Sequence, residues 1–296
     1  FELTRTLFER KLELSIGGRM AEAIREGNGS TSLYGVPVRR LAGESKVSRY
    51  NPKFSATWRY TRDHSLYAAA SQGFRYGGAN GNPTAGIEPG VPQTFDSDSL
   101  WNYEIGLRNE WFDKTLRLDV TGFFIDWKNL QIQQISVSQQ NYVDNVGGAE
   151  IRGVESMLRW SPPEEWPLLP AGLTLSLGAS YIDARITADF DSSDGPVKAH
   201  TRLPLTPYIQ ASGGISWIGS VGSWLLAAGV TDAYYGDRYN QLADAILLPA
   251  YHSVGATLTL SNPTMRSMPQ INLSGTNILD TPAQNFGFAA TVGQNN

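Results

Sequence analysis

Residues 100–134, LWNYEIGLRNEWFDKTLRLDVTGFFIDWKNLQIQQ, alternate apolar and polar side chains along two arms on either side of Asp113-Lys114. In the first arm Trp101, Tyr103, Ile105, Leu107 and Trp111 share one face, and Asn102, Glu104, Gly106, Arg108 and Glu110 share the other. In the second, Leu116, Leu118, Val120 and Phe124 oppose Arg117, Asp119 and Thr121. Successive side chains leave a pleated strand on opposite sides, so a period of two argues strand and not helix. The stretch is expected to be an antiparallel hairpin whose arms are longer than the roughly five or six residues of a usual globular strand. Its apolar face needs either a protein core or a bilayer, and the alternation alone does not choose between them.

The same period recurs along the 296 residues. Strands are expected at 11–20, 49–60, 66–73, 142–160, 173–188, 205–217, 223–231, 251–260 and 270–278. With the hairpin, that makes about eleven strands in up-and-down order. Loops are expected at 21–48, 74–99, 135–141, 161–172, 189–202 and 232–249. The connections alternate in length: short turns at 61–65, 113–114 and 218–222 interleave with long loops beginning at Ala21, Phe74, Asp189 and Asp232. Outer-membrane barrels sort their connections in this way, and a soluble sandwich has no reason to. Tyr60, Trp111, Trp160, Trp217 and Trp224 fall beside the short turns, as an interfacial aromatic girdle would place them. Within 173–188 the alternation breaks at Ile182 and Asp183, which leaves the facing of the strand's last residues open.

Composition narrows the chemistry. Formal net charge is −4, so there is no basic footprint for nucleic acid. Cys is absent, which removes disulfides, thiolate nucleophiles and Cys-based metal sites. His64, His200 and His252 lack metalloprotease spacing, and the His64-Ser65 and His252-Ser253 pairs lie outside any GxSxG context, so no enzyme is expected. Asp189, Asp191 and Asp194 share a loop but lack a calcium-loop spacing, so a solvated acidic loop is expected there. Mean hydropathy is −0.27, and no run of about eighteen apolar residues is present for a membrane helix. A membrane barrel gives the same averages, because half of every strand faces a polar lumen. The opening FELTRTLFER carries no leader, and a mature or partial chain is expected.

Four segments in order, SLYAAASQGFRYGGAN (65–80), WNYEIGLRNEWFDKTLRLDVTGFFIDWKNLQIQ (101–133), YVDNVGGAEIRGVE (142–155) and LSGTNILD (273–280), resemble the C-terminal barrel region of TonB-dependent outer-membrane receptors. The resemblance implies an all-β, antiparallel up-and-down transmembrane β-barrel of 22 strands, of which residues 1–296 would be the C-terminal portion without the plug domain. FGFAATVGQNN (286–296) would stop one strand short of the family's end. The implied function is energy-coupled uptake of a scarce nutrient complex, above all a ferric siderophore. The implied partners are outer-membrane lipid, the ferric siderophore and a TonB-type energy-coupling protein reached through an N-terminal region. No cofactor or resident metal is implied. A passive pore and a soluble β-rich module remain the alternatives. Capture of a ligand would fall to loop residues: Phe74, Arg75 and Tyr76, then Tyr234, Tyr235, Arg238 and Tyr239. Aromatics bind planar groups at low entropy cost, and Arg pairs with carboxylate, catecholate or phosphate oxygens. Tyr234 and Tyr235 could instead belong to the outer girdle, and Phe74–Tyr76 to a strand end. Glu104, Arg108, Glu110, Arg117, Asp119 and Glu155 are expected to face the lumen, with Arg108 opposite Asp119.

Overall fold

The computed structural model describes residues 1–282 apart from 34–35, 83–84, 193–194, 244 and 266–268, and describes no side chains between 24 and 47. The segment 286–296 and Asp194 lie outside the described residues. Twelve strands form one antiparallel sheet in which every strand pairs with its neighbours in sequence. They are β1 (Glu2–Leu7), β2 (Leu12–Leu33), β3 (Val36–Arg59), β4 (His64–Arg75), β5 (Asp98–Trp111), β6 (Leu116–Ile135), β7 (Asn141–Trp160), β8 (Leu173–Ile186), β9 (Ile209–Val221), β10 (Trp224–Tyr235), β11 (Tyr251–Ser261) and β12 (Gln270–Gly275). β1 and β12 are the edges, and the described strands do not close a ring.

Eleven of these are the expected strands. The addition is β1, whose alternation Arg5 interrupts between Leu3 and Leu7. It joins β2 through Phe8, Glu9 and Arg10, all in the left-handed region. The expected loop at 21–48 is a correction: β2 and β3 continue through it, paired from Ala21 opposite Arg49 to Leu33 opposite Val36. A polar ribbon held by backbone hydrogen bonds needs no apolar face, so it leaves no alternation to read. The β5–β6 turn also uses three left-handed residues, Phe112, Asp113 and Lys114.

The register settles which side chains share a face. Leu14, Ala56, Ala68, Ile105, Gly122, Val154 and Tyr181 lie in one transverse row, and Leu175, Ile215, Val230 and Ala256 in another. Ile16, Phe54, Ile105, Val154, Leu177, Ile215, Val230 and Leu273 stand 44–63% exposed on this face. So continuous an apolar surface is far beyond what a water-soluble monomer leaves uncovered. At the short-turn end it is bordered by a chain of rings, Trp58–Tyr60–His64–Trp111, with centroids 5.4–5.8 Å apart. There Tyr60 donates to the Asn109 side chain at 2.8 Å, satisfying a polar group on the apolar face.

Towards the long-loop end the faces exchange polarity while the pleat runs on without a break. Tyr181 pairs with Val154, Ile182 with Gly153 and Asp183 with Arg152. Beyond that line the outward face carries Arg152, Asp183 and Arg185, linked at 3.7 and 2.7 Å, and the Asp126–Lys128 pair at 3.3 Å. The inward face carries a buried cluster of Leu130, Val146, Ala149 and Ile186, covered by Trp127, Ile132, Phe190, Leu203 and Leu242. Asn129, with φ of 55°, lets Trp127, Leu130 and Ile132 reach the same cluster despite their spacing. The break at Ile182-Asp183 is therefore no change of strand geometry. It marks where the apolar outward face ends and the loops begin to pack against the inward face.

On these facings, Ile215→Arg at mid-band is expected to cost about 2–4 kcal/mol in a bilayer, and Ser216→Arg on the opposite face much less. Urea unfolding of the full-length protein in lipid measures both, and equal costs would refute the assignment.

Candidate functional site

The polar face holds its charges in local pairs near the short turns. Arg117 bonds Asp119 through Nε at 3.0 Å and lies 4.0 Å from Glu110, which Lys114 approaches to 3.9 Å. Arg59 meets Glu13 at 3.1 Å. Arg108 does stand opposite Asp119 in the register, but the Asp119 carboxylate is taken by Arg117, two residues along the same strand. The Arg108 guanidinium lies instead over the Tyr67 ring at 4.7 Å. Tyr67 in turn spans Gly106 to reach the Thr121 hydroxyl at 2.7 Å, and a Cβ at 106 would come within 2.5 Å of that ring. Glu104 accepts from the Asn102 amide at 2.6 Å. The register puts Glu104, Arg108, Glu110, Arg117, Asp119 and Glu155 on this one face.

Glu155 borders a concavity of about 410 Å³ across β7–β10. Its row runs Glu155, Ser180, Gln210, Tyr235, and Tyr235 stacks on Tyr251 with centroids 5.0 Å apart. Ser212 lines the same concavity. Sequence reading singled out neither Ser180, Gln210 nor Ser212. Their signal is the ordinary polar half of an alternation, and only the register shows that they meet Glu155 and Tyr235.

The loop residues divide by what already holds them. Arg75 is committed to Asp98, whose side chain is 1% exposed. The Asp98 carboxylate accepts from the Arg75 backbone N–H at 3.0 Å, from its Nε at 2.9 Å, from its Nη2, and from the Gln131 backbone N–H at 3.2 Å. Arg75 Nη2 also donates to the Gln131 carbonyl at 2.9 Å, and the guanidinium lies 4.7 Å over Trp127. This knot closes the base of the loop 76–97. Farther out, Asn80 exchanges hydrogen bonds with Val143 at 2.7 and 2.8 Å, and the Glu88 carboxylate accepts from the Ser138 amide and hydroxyl. The loop is thereby fastened to the tip of the β6–β7 hairpin. Phe74 and Tyr76 meet edge to face at 4.8 Å.

Tyr234 and Tyr235 are adjacent in β10 and so point to opposite faces. Tyr234 stands on the apolar face against His252 at 4.9 Å. Arg238 is buried over the Tyr251 ring at 5.2 Å. Buried Arg202 lies 3.8 Å over Tyr208 and 5.9 Å from Tyr239, and donates to the Thr206 and Asp237 carbonyls. In the acidic loop the Ala199 N–H and the Lys198 ammonium hold the Asp189 carboxyl below the usual carboxylate range, and Asp189 raises Lys198 in return.

Asp98→Ala removes one acceptor shared by a guanidinium and two backbone amides. Because Arg75 is half-exposed, a cost of roughly 3 kcal/mol is expected, the low end for a broken buried pair. It would be read as loss of hydrogen-exchange protection at the Gln131 amide, and unchanged protection there would show that other contacts hold the loop.

Residues 1–278 match the family described as TonB dependent receptor-like, beta-barrel. The pesticin receptors of Yersinia enterocolitica and Yersinia pestis are 26% identical over 209 residues, which make up 71% of this chain and 27% of theirs. The chain thus spans little more than a quarter of those relatives. Among solved structures, the ferric yersiniabactin uptake receptor FyuA from Yersinia pestis superposes with a TM-score of 0.74 at 20% identity, over 98% of this chain and 41% of that one. BauA, the ferric preacinetobactin receptor from Acinetobacter baumannii, gives 0.64 at 17% identity over 93% and 37%. The copper transporter OprC gives 0.69 at 14% identity over 96% and 42%. Likeness at these identities shows the shared fold.

Proposed function

This chain belongs to the TonB dependent receptor-like β-barrel family, and from that membership we propose that residues 1–296 are the C-terminal portion of a receptor barrel without its plug. The receptor sits in the bacterial outer membrane and imports a ferric siderophore. Uptake is energised through a TonB-type coupling protein that engages a region N-terminal to this chain. The family match over residues 1–278 carries the reading. The ligand class is supported by the relatives, since FyuA and BauA are receptors of ferric siderophores by name.

The geometry supports the following roles for the candidate residues. Tyr235 faces the interior beside Gln210, Ser180 and Glu155, where a ligand would pass. Phe74, Tyr76 and Tyr239 offer ring faces at the loop end. Arg75 and Arg238 act by holding loops, because each is already engaged with Asp98 or Tyr251. Tyr234, on the apolar face, belongs to the girdle. Near the short turns Glu13, Glu110 and Asp119 are paired with Arg59, Lys114 and Arg117, so a polyanionic complex meets a wetted surface there and no deep electrostatic trap.

Deletion of the full-length gene is expected to abolish growth on at least one ferric siderophore under iron limitation. Uptake should stop when the proton-motive force is collapsed, and uptake that persists would identify a passive pore. Tyr235→Ala with Gln210→Ala in the full-length receptor is expected to weaken ligand binding about tenfold, or about 1.4 kcal/mol. Unchanged affinity would remove this wall from the ligand's route.

A further inference from the structure

The outward face is not uniformly filled. Across β7–β11 it sinks into a groove of about 590 Å³. Ser156, Ala179, Ala211 and Gly213 make the floor, Leu158 and Leu177 stand on one side, and Asp232, Tyr234 and His252 close the far end. The register aligns Ser156, Ala179, Ala211, Tyr234 and His252 in one row. That row is not level with the membrane. Ser156 is four residues from the Trp160 end of β7, whereas Tyr234 is ten residues from the Trp224 end of β10, and both ends lie at short turns. The groove therefore climbs from the middle of the apolar band to its border with the loop end.

A hydrogen-bonded aspartate and histidine stand at the upper end. His252 Nδ1 lies 2.9 and 3.2 Å from the two Asp232 oxygens, and both side chains are about half-exposed. A carboxylate and an imidazole on an apolar face are costly unless they sit at its border with polar neighbours. With Nδ1 spent on the carboxylate, the imidazole Nε2 and the remaining carboxylate lone pairs are left for another partner.

We infer that this groove holds one lipid of the outer leaflet, its acyl chain lying over Ala211, Ala179 and Ser156 and a hydroxylated head group hydrogen-bonded by His252 and Asp232. The inference rests on the reading that this face meets lipid. A floor of small side chains at membrane depth has to be covered by hydrocarbon, since water there would find few polar partners. Five strands about 4.8 Å apart give the groove a length of roughly 19 Å, enough for a chain slanting through one leaflet of a hydrocarbon core about 30 Å thick. A hydroxyl suits this end because it both donates and accepts, and so can pair with a carboxylate oxygen and with the imidazole Nε2. A second copy of the chain fits less well, because the groove is two rows wide and a stable interface buries about 800 Å² on each partner.

The test is native mass spectrometry of the full-length protein in mild detergent, titrated separately with a synthetic acylated glucosamine-disaccharide lipid and with dipalmitoylphosphatidylcholine, which lacks a hydroxyl. One glycolipid copy should be retained in preference to phosphatidylcholine. Filling the floor with Ala179→Leu and Ala211→Leu should weaken its retention at least about tenfold, and Asp232→Asn with His252→Gln should weaken the glycolipid alone by about tenfold. Retention unchanged in both variants, or equal and variant-insensitive binding of the two lipids, would overturn the inference. So would a wild-type dimer that the filled variant breaks. If the filled variant fails to fold, the near-isosteric head-group variant decides. The readout is bound mass and does not depend on which nutrient is imported, so its failure leaves the uptake reading intact.

Discussion

A chain that crosses hydrocarbon must satisfy every backbone donor and acceptor within the protein, and between its two edges this sheet meets the requirement by pairing each strand with the strand before and after it. The ten strands between the edges follow that rule, with no crossover among the described strands of the sheet. The rest of the molecule depends on it. Sequential antiparallel pairing divides the connections between two ends, and the pleat divides the side chains between two faces. Each face can then be matched to its own medium, and the exposed Ile105, Leu177 and Ile215 become a matched surface in place of a defect.

The matching is local to the membrane. Where Asp183 pairs with Arg152, the same strands turn their charges outward and bury Ala184 and Ile186 inward. Hydrogen bonding continues unchanged across that line, so the exchange costs the sheet nothing. It also gives the loops something to pack against: Phe190, Leu203 and Leu242 come from the β8–β9 and β10–β11 connections and cover one cluster. The other long loop, 76–97, is held by polar contacts to the β6–β7 hairpin, with buried Asp98 at its base. The loop end is thus a folded vestibule with two kinds of anchorage, apolar and hydrogen-bonded.

Charge is handled in the same local way. Lys114 and Arg117 offset Glu110 and Asp119, Arg108 is spread over Tyr67, and Arg202 lies against Tyr208. Guanidinium groups suit this use, because a planar, weakly hydrated cation can stack and bond at once. Around Glu155 the polar face carries Ser180, Gln210, Ser212 and Tyr235, and on the opposite face lies the groove that ends at Asp232 and His252.

The sequence by itself determined eleven of the twelve strands, their order, the short and long ends, and which residues share a face. Those follow from a period of two and from turn spacing, which are local properties. It also showed the break at Ile182-Asp183 without its meaning, because the medium outside a strand is not encoded in the strand's own geometry. The paired ribbon within 21–48 left no trace, since backbone hydrogen bonds place no demand on side-chain polarity. Only the tertiary structure decided which partner each charge takes. Arg75 meets an aspartate 23 residues away, Asp119 goes to Arg117 in preference to the residue directly opposite, and neighbouring Tyr234 and Tyr235 meet His252 and Tyr251 on opposite faces. Such choices depend on side-chain reach and on loops folding back across the sheet, and no spacing along the chain contains them.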